Sequence, residues 1–137
     1  MGLILDSSVL IAAERKGSNA RQAMTAIARR VPSQDIAMSV VTLMELAHGA
    51  ARADTPERKA LRLQFLREIA AAAPVHRITV PIALRAGRVD GESTARGIRF
   101  PLADLLIGAT ALEVGYSIAT ANLRHFRLIP GLNVIAL

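Results

Sequence analysis

The sequence has no cysteine and no tryptophan, and only two lysines, Lys16 and Lys59. Without cysteine, disulfides, thiolate zinc sites and cysteine nucleophiles are impossible. Aromatic residues are also scarce. Phe65, Phe100, Tyr116 and Phe126 are the whole set, too few to fill a core and also stack the bases of a single strand. No apolar run reaches the roughly 18 residues a membrane-spanning helix needs. The most apolar helical stretch, Leu102 to Val114, contains Asp104 and Glu113. The opening Met1-Gly2-Leu3-Ile4-Leu5-Asp6 lacks a basic leader region, and Asp6 interrupts its apolar run, so no export segment is expected. A G-x-x-x-x-G-K loop is absent, which excludes a P-loop nucleotide hydrolase. There is no low-complexity linker and no internal repeat. These absences together predict one domain over residues 1–137, in the cytoplasm and off the membrane.

What is present is apolar residues and arginine. Of the 137 residues, 52% are hydrophobic, which argues against wholesale disorder. A domain of this length buries roughly 68% of its unfolded-chain surface, enough for a core without staples. Seventeen basic residues, fifteen of them arginine, face eleven acids, for a formal charge of +6. An arginine-rich excess of this kind is a footprint of polyanion binding, because the guanidinium fork matches phosphate oxygens in pairs. It is equally the solubility charge of a high-GC coding sequence.

Short apolar segments alternate with helical ones. Strands are expected at Gly2–Leu5, Ile36–Ser39, Val75–Thr79, Tyr116–Thr120 and Asn133–Ala136. A first helix through Val9–Ala13 is expected to be capped by Ser7 or Ser8 and stopped by Gly17. A second starts at Ser18 or Asn19 and runs to about Arg30, and a third opens at Thr42. Thr55-Pro56-Glu57 opens a fourth, with Leu61, Phe65, Leu66 and Ile69 on one stripe, and Pro74 ends it. A fifth runs from Pro81 towards Gly97, and a sixth covers about Leu102–Val114, closing at Gly115. Strands that are apolar throughout, rather than alternating, belong to a parallel sheet covered on both faces. The expected fold is therefore a three-layer α/β/α sandwich around a mostly parallel five-stranded sheet. In such folds sites form at the carboxyl ends of the strands, where the strand order switches. That rule selects Asp6 after the first strand, and Thr120 with Asn122 after the fourth.

Eight of the eleven acids sit in polar turns or at helix-surface spacing. The other three, Asp6, Glu45 and Asp104, lie in apolar surroundings. Carboxylates are rarely buried unless paired or bound to a cation. Three that converge would repel one another, and a hard divalent ion with oxygen ligands, such as Mg²⁺, would resolve the repulsion. Each also has a purely structural reading. Asp6 could cap the helix after it. Thr42-Leu43-Met44-Glu45 fits a capping box, with Thr42 at the N-cap. Asp104 falls in a first helical turn, where the dipole favours an acid. What favours a site is that all three lie near strand-to-helix junctions of one fold. An aspartate after the first strand also opens phosphotransferases of the haloacid-dehalogenase type, but these need a second aspartate where Ser8 stands.

The ordered set Leu5-Asp6-Ser7-Ser8-Val9, Thr42-x-x-Glu45, Asp104-x-x-Ile107 and Thr120-Ala121-Asn122-x-x-His125-Phe126 resembles the PIN-domain ribonucleases, in particular the VapC toxins of bacterial type II toxin–antitoxin pairs. The resemblance runs from Leu5 to Leu132. It implies a metal-dependent endoribonuclease in which Asp6, Glu45 and Asp104 hold Mg²⁺ or Mn²⁺, with Ser8 and Thr120 supporting. Asn122 would take the fourth catalytic place, where an acid is usual, with His125 the other occupant of that segment. In such an enzyme the ion acidifies a water and orients it in line with the phosphodiester. Products with 5′-phosphate and 3′-hydroxyl ends follow. The remaining histidines, His48 and His76, have no expected role. Of the basic residues near the junctions (Arg15, Lys16, Arg96, Arg99, Arg124 and Arg127), Arg15, Arg99 and Arg124 are the leading candidates to contact RNA. The resemblance also implies a cognate VapB-type antitoxin, a homodimer and a toxin–antitoxin hetero-oligomer. Leu61, Phe65 and Leu66 are candidates for an antitoxin groove, or simply for core. The competing reading is a PIN-like RNA-binding or scaffold domain with weakened catalysis, to which the neutral Asn122 lends support.

Overall fold

The computed structural model describes all residues, Met1–Leu137. Its five strands are β1 (Gly2–Leu5), β2 (Asp35–Ser39), β3 (Val75–His76), β4 (Ser117–Thr120) and β5 (Val134–Ala136). Every pairing is parallel, in the order β3-β2-β1-β4-β5. The helices are α1 (Ser7–Arg15), α2 (Ala20–Arg30), α3 (Val40–Ala51), α4 (Pro56–Ala72), α5 (Val80–Ala95), α6 (Leu102–Val114) and α7 (Leu123–Phe126). None is long and apolar enough to cross a membrane.

Alternation along β1 sorts two cores. Leu3 and Leu5 face one side with Met38, Val9, Ala23, Phe65 and Ile69, beneath α1, α2 and α4. Ile4 faces the other with Ala37, Ile118, Ile82 and Ile107, beneath α5 and α6. The layered sandwich is as expected, and its sheet is wholly parallel. Helix α3 supplies Val41 to one core and Leu46 to the other.

Five local expectations are corrected. Helix α3 begins at Val40 rather than Thr42, because Ser39 Oγ accepts from Val41 N–H and starts the helix as soon as β2 ends. There is no capping box at Thr42. Its hydroxyl is fully buried and donates to Leu5 O at 3.0 Å, satisfying a carbonyl at the end of β1. Strand β3 stops at His76, whose partner Ser39 is the last strand residue of β2, so Arg77–Thr79 have no edge left to pair with. Ser7 and Ser8 lie inside the first turn of α1 rather than capping it; Asp6 holds the N-cap position, and its side chain makes no cap bond. Finally, Leu61 leaves the α4 stripe and is 67% exposed, while Phe65 and Ile69 are buried.

Candidate active site

β1 and β4 are neighbours in the sheet although 112 residues separate Asp6–Ser8 from Thr120 and its surroundings, and the chain departs from them in opposite directions along the sheet. This is the switch in strand order, and both carboxyl ends carry polar side chains. Asp6, only 4% exposed, ties its backbone N–H to Ala119 O at 2.9 Å. Its Oδ2 accepts from Ser8 Oγ at 2.6 Å and from Thr120 Oγ1 at 2.9 Å. Each hydroxyl is itself held: Ser8 Oγ accepts from Ala121 N–H, and Thr120 Oγ1 from Asn122 N–H. The β1–α1 and β4–α7 turns are thereby locked together around one carboxylate.

Glu45 and Asp104 arrive from different helices. Glu45, in the second turn of α3, accepts at Oε1 from Ser7 Oγ at 2.9 Å. Asp104, in the first turn of α6, contacts His125 Nδ1 through Oδ2 at 2.7 Å. In all three acids one oxygen is engaged, and the other accepts no hydrogen bond from the protein.

The three acids line one cavity of about 440 Å³, together with Ser7, Ser8, Arg15, Ala121 and Asn122. Burial pushes the Glu45 carboxyl up from its ordinary value; the nearby charges of Asp6 and Asp104 push it further, and the Ser7 hydroxyl opposes. Asp104 is also pushed up, first by burial and then by the charge of Asp6, against the His125 hydrogen bond. Both carboxyls are thus harder to ionise than ordinary ones, in part because the acids repel one another. No three of its acidic or imidazole groups stand close enough, as placed, to form a closed ligand cluster. The donor chemistry is nevertheless that of a hard cation which keeps several of its waters: carboxylate oxygens, one free per residue, in a cavity with room for water.

The sequence-selected acids therefore share a cavity, with Asn122 beside them and Ser8 and Thr120 in support. Of the three candidate arginines only Arg15 lines that cavity; Arg99, ahead of α6, and Arg124, on α7, are exposed outside it. Two partners went unassigned in the sequence. Ser7 anchors Glu45, and its signal was a pair of hydroxyls directly after a strand-end acid. His125, to which the sequence assigns no single role, binds Asp104 and is not among the cavity-lining residues. His48 is exposed and His76 half-buried, and neither lines the acid cavity.

A second concavity of about 460 Å³ lies among the end of α1, the start of α2 and α4, with Leu61, Phe65, Arg58 and Arg62 in its wall. Leu66 is not part of it and packs against the core instead. A smaller hollow shares Arg15, Arg62 and Phe65 with this groove, and Ile11, Arg15 and Glu45 with the acid cavity.

Comparison with known proteins places this geometry. The sequence profile described as the PIN domain matches residues 3–132. Ribonuclease VapC1 of Rickettsia felis is 27% identical over 135 residues, covering 98% of this chain and 96% of that protein. The tRNA(fMet)-specific endonuclease VapC of Salmonella typhimurium is 30% identical over 97 residues, 71% of each chain. Among solved structures, DNA-bound VapBC from Salmonella typhimurium superposes with a TM-score of 0.78 at 25% identity, covering 99% of this chain and 98% of that one. VapBC2 from Rickettsia felis, bound to a promoter DNA fragment, reaches 0.83 at 20% identity over 100% and 99%, a likeness of fold. The profile spans nearly the whole chain and both of its carboxyl-edge corners, and the chain belongs to the PIN-domain family.

Proposed function

We propose that this chain, as a single PIN-like domain, is a VapC-type endoribonuclease that cleaves RNA phosphodiesters with a divalent cation, Mg²⁺ or Mn²⁺, held by Asp6, Glu45 and Asp104. The observation that carries the reading is the cavity at the strand-order switch, where three carboxylates from three elements each keep one oxygen free. A divalent cation bound there would acidify a water and neutralise charge developing on the phosphoryl oxygens. The chain's own groups do the rest. Asp6 is held rigid by two hydroxyls, so its free oxygen is preorganised. Arg15, at the cavity wall, offers a guanidinium to a backbone phosphate. Asn122, whose side chain makes no hydrogen bond within the protein, can bind a water or a phosphoryl oxygen without adding charge.

The names of the relatives, VapC ribonucleases and VapBC complexes of a toxin–antitoxin family, support a toxin–antitoxin role; the same proposal includes a VapB-type antitoxin as inhibitor and a homodimer inside a hetero-oligomer. The run of concave surface from Leu61 and Phe65 through Arg15 to Glu45 suits an antitoxin segment that would cover the groove and reach the acids. Incubating total RNA and Mg²⁺ with the wild type, with Asp104→Asn and with EDTA tests the enzyme. Cleavage by the wild type alone is expected; equal cleavage in EDTA or by the variant rejects it. RNA binding without cleavage would favour the weakened RNA-binding domain that the neutral Asn122 suggests. Growth arrest on expression, relieved by the adjacent gene, tests the toxin role.

A further inference from the structure

We propose that His125 is a positioning residue for Asp104, fixing one carboxylate oxygen so that the other is presented singly to the cation; this rests on the cation reading above. His125 Nδ1 lies 2.7 Å from Asp104 Oδ2. An ionised carboxylate can only accept, so the proton of this bond sits on Nδ1. Asp104 lines the acid cavity and His125 does not, so the imidazole backs the carboxylate and acts through it.

The backing is built into the core. A four-residue helix such as α7 has almost no stability of its own. It is held by Phe126, 1% exposed, and by Ile129 just beyond it, 3% exposed, both in the core that includes α6. The surface they meet is Gly108, four residues along α6 from Asp104 and so on the same face. A Cβ at Gly108 would stand 2.6 Å from Ile129 Cδ1 and 3.8 Å from Phe126 Cδ1. The missing side chain is what lets this segment close on α6, and that closure sets His125 against Asp104. The outcome matches the other two acids, where Ser7 holds Glu45 and where Ser8 and Thr120 hold Asp6.

The test is Mn²⁺ binding to the full chain, by calorimetric titration and by loss of the free-ion paramagnetic resonance signal, with thermal melts alongside. His125→Ala should weaken binding about 10- to 100-fold, the usual loss when a partner behind a metal ligand is removed. His125→Phe, which keeps a ring of similar size without the donor, should lose as much, whereas a packing role alone would be rescued. His125→Asn, whose amide N–H can replace Nδ1–H, should stay within about threefold of wild type, well short of that range. Binding by His125→Ala or His125→Phe as tight as wild type, or tighter, overturns the inference while leaving the cation reading standing. A wild type that binds no Mn²⁺ overturns both.

Discussion

The Asp6 and Asp104 corners of the site reach the same state by different means. Asp6 follows directly from a central strand. Its backbone is bonded to the neighbouring strand, and two hydroxyls from two elements share its Oδ2. Asp104 sits partly exposed in a helix turn, and a single contact from a four-residue helix holds it. The first corner inherits its order from the sheet, with redundancy. The second depends on side-chain packing some distance away, at Phe126, Ile129 and Gly108. Preorganisation drawn from backbone pairing should resist single substitutions, and preorganisation drawn from one packed lever should not.

The largest expected effect strikes the lever. Phe126→Ala removes a fully buried ring and should cost about 3–5 kcal/mol in chemical denaturation, the range for such truncations. It should also free His125 from Asp104 in whatever fraction stays folded, visible as a shift of the imidazole resonances. Next comes the anchored acid. Asp6→Asn keeps an acceptor for Ser8 and Thr120, so the melt should move little, while RNA cleavage falls by roughly 10²–10³-fold, as when a preorganised electrostatic group leaves a site. A comparable loss of stability would mean that Asp6 is chiefly structural.

Smaller effects probe redundancy. Ser8→Ala or Thr120→Val alone should cost about 0.5–1.5 kcal/mol, because the other hydroxyl still holds Asp6 Oδ2. The double variant should lose more than the sum, since each single change leaves the other hydroxyl to carry the contact. Strict additivity would show that the two hydroxyls act independently and that the Asp6 corner is no more redundant than the Asp104 corner.

The sequence made this contrast only half visible. β1, α4 and α6 fell at their expected positions because each has a sharp local signal: an apolar run ending in an acid, Thr55-Pro56-Glu57, and an αL glycine at Gly115. The three acids were legible because an apolar neighbourhood makes a carboxylate conspicuous. Their holders were legible only in part: the family resemblance names Ser8 and Thr120 as supports, but not Ser7 as the partner of Glu45 or His125 as the partner of Asp104. Ser7 meets Glu45 across 38 residues, Thr120 meets Asp6 across 114 and His125 meets Asp104 across 21, and no local pattern encodes such pairs. A serine at the start of a helix reads as a cap, which hides the role of Ser7; Ser8 and Thr120 come forward as supports only through the family resemblance. Thr42 misleads likewise, because three-residue spacing to Glu45 is a cap signal whether or not the helix has already begun. Helix α7 is too short to show a helical period, so its lever could emerge only from packing.

The smallest effect has the opposite sign. Burial raises the Glu45 and Asp104 carboxyls, so the folded chain holds their protons more tightly than the unfolded chain does. Where the native state binds more protons, stability falls as pH rises. The fold is therefore least burdened by these two acids below their ordinary values of 4.5 and 3.8, and it loses stability as pH climbs through their raised values. Glu45→Gln removes one ionisation and keeps an acceptor for Ser7. At neutral pH without divalent ions it should melt higher than wild type, by on the order of a degree or two. Well below pH 4.5 the two proteins should converge, because the wild-type acid is then protonated in both states. Adding Mn²⁺ at neutral pH should raise the wild type above the variant, since binding to the folded state alone stabilises it by mass action. If instead Glu45→Gln melts lower than wild type at every pH, the Ser7–Glu45 bond outweighs the repulsion. Glu45 would then belong with Asp6 as a corner secured by its hydrogen bonds, and Asp104 would be left as the one acid whose placement rests on a distant lever.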